Sequence, residues 1–327
     1  MLADAPCPKH MIFGPCQGVQ DDGACELSDR ACPFLTGRVG LPVPVFPRRE
    51  PVPAVDSRSL RELHTGPIVL AELPSDSSDA EEHRKTVDTL RGTVHGVLLG
   101  DAPWARVQLP AVLRVQQVTA SGLRAFVGLN CRDRNRVALE SELLGIAEAG
   151  AAGVLCLTGD HPAIGGRPDA AAVFDLDSTR LASLAAGRGM TVLVAESPRA
   201  LARDDLARLE HKAAAGAEAV IINHGDEADV RDFAVRAKQK LPELIRIASV
   251  PVVVSPAGQR RIEHYFPGAV RSEGVSATAG VQAAIDLARR LLGSGLFGGI
   301  DLSAAAGPGE QRAVSEAIAE VCAAVAA

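Results

Sequence analysis

Four of the seven cysteines of the chain lie close together near the N-terminus, at positions Cys7, Cys16, Cys25 and Cys32. Eight, eight and six residues separate them, and glycines and prolines lie between them. This composition is expected where a short segment folds back onto one point. Four thiolates can hold a zinc ion tetrahedrally and so cross-link a segment too small to bury its own core. The spacing predicts a zinc-binding module over residues 1–35.

Other uses of these thiols remain open. An iron–sulfur cluster takes the same four ligands, and His10 could replace one of them. Two disulfides would need an oxidising compartment, and the sequence shows no export signal. Reduced thiols with no common role are the remaining alternative. A site with four protein ligands leaves no position for a substrate, so we expect this module to be structural or docking.

A second set of polar residues follows short apolar runs along the rest of the chain. These residues are Glu72, Asp101, Asn130, Asp160, Glu196, Asn223, Asp226, Ser255 and Asp301. If the runs are parallel strands of one barrel, their carboxyl ends meet at a single mouth. Carboxylates that converge there raise each other's pKa, which makes a general acid possible at neutral pH. Polar residues also end strands simply because strands run into solvent, so residue type alone does not decide between these interpretations.

The elements that must position these residues alternate between apolar runs and amphipathic stretches from residue 67 onward. The runs "PIVLAE", "HGVLLG", "LRAFVGLN" and "AGVLCLTG" are the first four of eight. Their hydrophobicity is continuous rather than alternating, which is typical of parallel strands buried on both faces. Eight such units predict an α/β fold, a (β/α)8 barrel over residues 65–327. An open doubly wound sheet is the alternative, and no GxGxxG motif opens a helix after the first strand.

A proline-rich segment separates the two regions. The run "GLPVPVFPRREPVPAV" lies within residues 36–64. Proline excludes helix and central strand, so we expect a semi-rigid connector that crosses the surface.

Charge and hydropathy exclude several functions. A formal net charge of −6 and a pI near 5.8 argue against a nucleic-acid partner. No apolar stretch is long enough to span a bilayer, so we predict a soluble cytoplasmic protein with no membrane association.

Several segments resemble a known enzyme family. The stretch "CPKHMIFGPCQGVQDDGACEL" resembles the small cysteine-rich domain called the methylenetetrahydrofolate reductase C-terminal domain, which is associated with bound metal. The stretch "NCRDRNRVALESELLGIAEAGAAGVLCLTGDHP" resembles the central segment of methylenetetrahydrofolate reductase itself. "VFDLDS" and "LEHKAAAGAEAVIIN" are also similar to that family. Together these segments extend the resemblance over nearly the whole chain.

The resemblance implies an oxidoreductase that passes a hydride through FAD to methylenetetrahydrofolate. "LAELP" places Glu72 at the catalytic glutamate that ends the first strand, where it would protonate the bridging amine of the substrate. Asp160 corresponds to an aspartate beside both pterin and flavin. Asp205 and Lys212 correspond to a flavin-contacting pair, and Asn223 to a pterin-binding glutamine.

The resemblance implies further contacts and partners. Arg132 and Gly159 would also contact the flavin. The electron donor would be NAD(P)H or an electron-donating protein, and reductase barrels are commonly homo-oligomers.

Three positions depart from the family pattern. Gly100 replaces a flavin-contacting threonine, Gly128 replaces a histidine, and Glu196 lies where an aromatic ring is common. These departures keep two alternatives open. One is a flavin-free or repurposed homologue that acts on another one-carbon or pterin substrate. The other is a non-catalytic electron-transfer or partner subunit in which the barrel is a scaffold.

Overall fold

The structure is a computed structural model. It describes residues 7–12, 14–16, 18–35, 60, 66–74, 79–100, 107–198, 205–270, 276–304, 306 and 309–326. Asp101 and Trp104, and all of the proline-rich linker except Leu60, lie outside the described residues.

The central element is a closed barrel of eight parallel strands, so the prediction of a (β/α)8 barrel is confirmed. A two-stranded hairpin, β1 (Ala24–Cys25) and β2 (Ser28–Ala31), precedes it. The barrel strands are β3 (Ile68–Glu72), β4 (Gly96–Leu99), β5 (Ala125–Asn130), β6 (Gly153–Leu157), β7 (Val192–Glu196), β8 (Ala219–Ile222), β9 (Ile245–Val252) and β10 (Gly299–Ala304). β10 pairs with both β9 and β3, which closes the ring.

Helices alternate with the strands and surround them. They are α1 (Ala80–Leu90), α2 (Ala111–Ala120), α3 (Arg136–Glu148), α4 (Ser178–Ala186), α5 (Asp205–Ala214), α6 (Glu227–Lys240), α7 (Pro256–Tyr265), α8 (Ala277–Gly293) and α9 (Gln311–Ala326). Side-chain caps begin several of them. The Asn135 side chain accepts a hydrogen bond from the backbone N–H of Ala138 at the start of α3. β9 begins earlier than the apolar run "VPVVVS" predicts, and Ser255 of that run caps α7.

Two layers of apolar side chains hold the barrel together. The larger layer lies between the strands and the helices, and a smaller one fills the interior. The interior contains one aromatic ring among the described residues, Phe126 on β5. Glycines on the two neighbouring strands make room for it, because a Cβ at Gly96 or Gly153 would lie 2.7 or 2.9 Å from the ring. The chain thus fills the barrel with aliphatic side chains around this ring.

The linker contributes to this interior. Leu60 is 1% exposed and belongs to the interior cluster with Leu70 and Leu98. A simple surface connector would not bury a leucine in this way, so at Leu60 the structure departs from that expectation. In the described part of the chain, no helix is long and apolar enough to cross a membrane.

Replacing Gly153 by alanine should destabilise the barrel. The new Cβ would lie 2.9 Å from both the Phe126 ring and the Thr191 carbonyl oxygen, and the latter is backbone that cannot move aside cheaply. We expect Gly153→Ala to lower the free energy of unfolding by about 1–3 kcal/mol in urea denaturation. Gly145→Ala, within α3, is the matched control. Its new Cβ would approach Val112 of α2 no closer than 3.9 Å, which is an ordinary contact distance. A control variant as unstable as Gly153→Ala would contradict this account.

Candidate active site at the barrel mouth

Glu72 ends β3 at the mouth of the barrel. Ile68 and Leu70 of the same strand belong to the interior cluster. Because side chains alternate along a strand, Glu72 continues the interior face one layer higher. It is half-buried, so it reaches the solvent-facing end of the interior.

Asp301 brings a second carboxyl group to the same place. Its neighbours Ile300 and Leu302 pack in the outer layer, so Asp301 faces the interior. It pairs in register with Leu70 of β3, two positions before Glu72. The side chain is 1% exposed, and its Oδ1 has no hydrogen-bond partner among the described atoms.

This environment favours the neutral form of Asp301. Burial raises the pKa of Asp301 well above its usual value, and the negative charge of Glu72 raises it further. Two adjacent carboxyls in an apolar interior do not both ionise easily, so we expect the pair to hold one proton near neutral pH. The arrangement combines a possible proton donor with a possible proton acceptor.

Small and amide-bearing residues surround the two carboxyls. Gly100 follows β4, which pairs with β3, and a Cβ there would meet no heavy atom of the described residues within 4 Å. That glycine therefore leaves open space at the mouth. Asn130 ends β5 inside the barrel, and Asn223 follows β8, where its Nδ2 donates to Ser197 Oγ at 3.3 Å. Asn223 thus lies at the mouth, but its role in pterin binding stays a prediction.

The loop after β6 packs tightly against the end of β5. Gly159 has φ +90, and a Cβ there would lie 3.0 Å from Asn130 Cβ and 3.1 Å from Arg132 Cβ. Only glycine meets both conditions without strain. Asn130 Oδ1 accepts a hydrogen bond from the Arg132 backbone N–H at 2.9 Å. These contacts fix the backbone at the barrel mouth directly before the next residue, Asp160.

Asp160 meets the cysteine-rich module at this point. Lys9 of the module forms a buried ion pair with Glu26, Nζ to Oε1, at 2.5 Å. The Lys9 ammonium also interacts electrostatically with Asp160, and both Lys9 and Glu26 interact with His161. The module therefore lies on the mouth loops of the barrel, a location that its sequence does not predict.

His224 and Ser303 form a polar contact that the sequence analysis did not identify. His224 Nε2 lies 2.6 Å from Ser303 Oγ, and both side chains are buried. Burial lowers the pKa of His224 to about 4, so the imidazole is neutral at pH 7. The histidine is visible in the run "NHGD" after β8. Ser303 lies on β10, and no pattern in the sequence predicts that the two residues are in contact.

Glu196 does not face the mouth, which corrects its placement among the converging carboxylates. It lies between β7 and α5, fully buried, where Arg208 Nε donates to its carboxylate at 2.9 Å. Lys212 Nζ contacts the same carboxylate at 2.8 Å and donates to the Ala195 carbonyl oxygen at 2.7 Å. Burial pushes the pKa of Glu196 up, but the two cations outweigh it and hold that pKa below its usual value.

Two of the residues that the resemblance assigns to a flavin are engaged in ion pairs within the protein. Lys212 is held by Glu196, and Arg132 pairs with Asp133, Nε to Oδ1, at 2.5 Å. Asp205 is the first residue of α5, but its side chain is not among those that the structure describes. FAD binding stays a prediction, and no chemical step below depends on it.

The four cysteines of the module come near one another without forming a metal site. Cys32 interacts electrostatically with Cys7 and Cys25, and Cys16 with Cys7. Yet no group of three or more Cys, His, Asp or Glu side chains among the described residues is arranged to hold a metal ion. The metal-binding character of the module is therefore not confirmed, and zinc or an iron–sulfur cluster stays a prediction.

Comparisons with known proteins show the fold. No protein family and no curated protein matches the chain by sequence. A solved structure of tryptophan synthase from M. tuberculosis aligns with a TM-score of 0.50 and 13% identity, over 83% of this chain and 98% of that one. Oxaloacetate acetylhydrolase aligns with a TM-score of 0.48 and 11% identity, over 78% and 82% of the two chains. A phosphoenolpyruvate phosphomutase from Streptomyces platensis subsp. rosaceus aligns with a TM-score of 0.44 and 16% identity, over 75% of this chain and 80% of that one.

These findings correct the predicted activity. These solved structures, and a 2,3-dimethylmalate lyase that also aligns, are named as a synthase, a hydrolase, a mutase and a lyase, and none of them is named as a folate reductase. The prediction of a methylenetetrahydrofolate reductase-like flavoprotein oxidoreductase of folate metabolism is therefore wrong. At these identities the likeness shows a parallel eight-stranded barrel and nothing more specific.

Removing the charge of Glu196 should strongly destabilise the protein. Glu196→Gln leaves Arg208 and Lys212 buried without an anion, and we expect the free energy of unfolding at pH 7 to fall by about 3–5 kcal/mol. Because the pKa of Glu196 is lowered in the folded state, its contribution is present above the unfolded pKa and lost as pH falls through the folded pKa. The difference in the free energy of unfolding between the wild type and Glu196→Gln should therefore decrease at acidic pH.

Glu140→Gln is the matched control for that measurement. Glu140 also accepts from two arginines, Arg136 at 2.9 Å and Arg188 at 2.8 Å, but its side chain is 18% exposed, whereas that of Glu196 is fully buried. Its removal should cost less than the removal of Glu196, because solvent reaches the Glu140 pairs. Equal losses from the two variants in urea denaturation would show that burial of the Glu196 cluster has no energetic consequence.

Proposed function

We propose that the chain is an enzyme that transfers protons with the Glu72–Asp301 carboxyl pair at the barrel mouth. The observation that carries this proposal is the buried Asp301 carboxyl, whose Oδ1 has no hydrogen-bond partner among the described atoms and whose pKa is raised well above its usual value by burial and by Glu72. A carboxylic acid kept neutral by an apolar site can donate a hydrogen bond or a proton at pH 7. A structural aspartate would instead be expected to have its hydrogen-bonding atoms paired.

The two carboxyls are suited to complementary roles. In a substrate with an acidic C–H next to a carbonyl, Glu72 removes the carbon-bound proton while Asp301 gives its proton to the carbonyl oxygen. The product is an enol, and the reverse transfers return the proton to carbon at the same or another position. Two such groups supply general acid and general base catalysis without any further reactant.

The charges around the mouth indicate the substrate class. Arg132 pairs with Asp133, and Arg208 and Lys212 pair with Glu196. Arg180 lies beside Asp177, and Arg114 donates to the Gly100 carbonyl oxygen, so these cations are engaged within the protein. The Glu72–Asp301 pair contributes a negative charge, and Asn130 and Asn223 add amide groups. We therefore propose a small polar substrate that is uncharged or cationic, rather than a multiply charged anion.

Deuterium uptake tests the reaction on many compounds at once. Purified protein in D2O is incubated with a panel of small carbonyl and imine compounds, and NMR follows exchange of the C–H protons beside these groups. We expect exchange with at least one compound, reduced about 10²–10⁴-fold in Asp301→Asn and in Glu72→Gln. Asp229→Asn, at an exposed position of α6, should exchange at the wild-type rate. Exchange by Asp301→Asn at that rate would refute the role of the pair.

The protonation of Asp301 can be tested separately through stability. A carboxyl whose folded pKa is raised costs stability above its unfolded pKa of about 4, and the cost grows with pH until the folded pKa is reached. Relative to Asp301→Asn, the wild type should lose up to about 1.4 kcal/mol per pH unit as the pH rises from about 4 toward the folded pKa of Asp301. Parallel pH profiles of wild type and variant in urea denaturation would contradict the raised pKa.

A further inference from the structure

The cysteine-rich module contacts the barrel at a small number of specific points. The Arg208 guanidinium donates from Nη1 to the Pro15 carbonyl oxygen. His10 Nδ1 lies 3.4 Å from the Phe174 carbonyl oxygen. The Lys9–Glu26 ion pair lies near Asp160, as described above. All of these barrel residues follow β6 or lie on α5, so the module sits on one side of the mouth.

Arg208 links this contact to the interior of the barrel. Its Nε and Nη2 donate to the Glu196 carboxylate, and its remaining Nη1 donates to the module. The planar guanidinium presents five N–H donors in a fixed fork, so one side chain can hold both partners at once. Lys212 contacts Glu196 as well, but its other hydrogen bond goes to Ala195 of β7 rather than to the module. Arg208 is thus the member of the Glu196 cluster that reaches the module.

The surface beneath the module is shaped to receive it. Phe174 has φ 41, a left-handed conformation that is costly for an aromatic residue, and its carbonyl oxygen lies toward His10. Its ring stacks on His161 at a centroid distance of 5.9 Å, directly after Asp160. His10 also has positive φ, at 49. Strained backbone on both sides of one contact persists only where the surroundings impose it.

We propose that the cysteine-rich module is a fixed wall of the substrate site, with Arg208 as the positioning residue that holds it over the loops around Asp160. The module brings the Lys9 ammonium near Asp160 and lies against His161 and Phe174, the two ends of the loop after β6. Among the described residues the mouth is open at Gly100, which follows β4 two strands away from β6 in the ring, next to the strand that carries Glu72. The location of the module rests on its own contacts, and its role as a wall of the substrate site rests on the proposed function.

Hydrogen exchange measured by mass spectrometry on the full-length protein tests the proposal. Arg208→Lys retains a cation for Glu196 but loses the fork that reaches Pro15. We expect amide exchange in segments 7–16 and 158–176 to become roughly tenfold faster, because a charge-assisted hydrogen bond that holds a local unit is removed. Exchange in β10 and β3, which lie across the ring from β6 and β7, should change less.

Two further variants keep the outcome interpretable. Lys212→Met removes the other cation of the Glu196 cluster but leaves the Arg208–Pro15 contact, so it should lower global stability without selectively exposing 158–176. His10→Gly suits the positive φ and lies outside the Glu196 cluster, and it should accelerate exchange in 158–176 several-fold. The proposal is overturned if Arg208→Lys and His10→Gly both leave exchange in 158–176 at the wild-type rate. The substrate-exchange assay with Glu72→Gln and Asp301→Asn tests the proposed proton transfer separately. Its outcome does not change how these amide-exchange results are interpreted.

Discussion

The candidate site depends on closure of the barrel between its first and last strands. β3 and β10 are far apart in the sequence, yet their register places Asp301 opposite Leu70, just below Glu72. Gly299 makes the approach possible, because a Cβ there would lie 2.4 Å from the Ile68 carbonyl oxygen. A shift of one residue in this register would turn Asp301 to the outer layer and separate the two carboxyls. The same hydrogen bonds that complete the fold therefore create the chemistry.

The barrel uses its charged residues in two different ways. On the outer face of β7, Glu196 is ionised and compensated by Arg208 and Lys212. On the inner face of β10, Asp301 is as deeply buried but has no such pair of cations among the described residues, and it is expected to be neutral. Desolvation acts on both groups, so the neighbouring charges decide the protonation state of each. This contrast separates a structural carboxylate from one that is available for proton transfer.

The sequence predicts the architecture better than it predicts the site. Continuous apolar runs that alternate with helices are enough to predict the closed parallel barrel, because strands buried on both faces have continuously apolar sequences. The same continuity hides which face each side chain takes. Glu72 and Glu196 both end apolar strands, yet the first faces inward and the second outward, and nothing in "IVLAE" or "VLVAE" distinguishes them. The His224–Ser303 contact and the location of the module depend on tertiary packing, which no local pattern encodes.

The segments that resemble a reductase also have structural roles, which helps to explain why they indicated the fold without the activity. In the loops after β5 and β6, Asn130 binds the backbone of Arg132, and Gly159 packs against both residues at positive φ. Such contacts set the shape of a loop whatever reaction occurs beside it, and function depends on the groups that the loop presents. Here the groups presented are a neutral Asp301, Glu72 and amides, with a cysteine-rich wall that pairs its own Lys9 and Glu26. In the described part of the chain the arginines beside the mouth are held within the protein, Arg114 at the Gly100 carbonyl oxygen and Arg180 beside Asp177, and these charges constrain the substrate more closely than the barrel fold does.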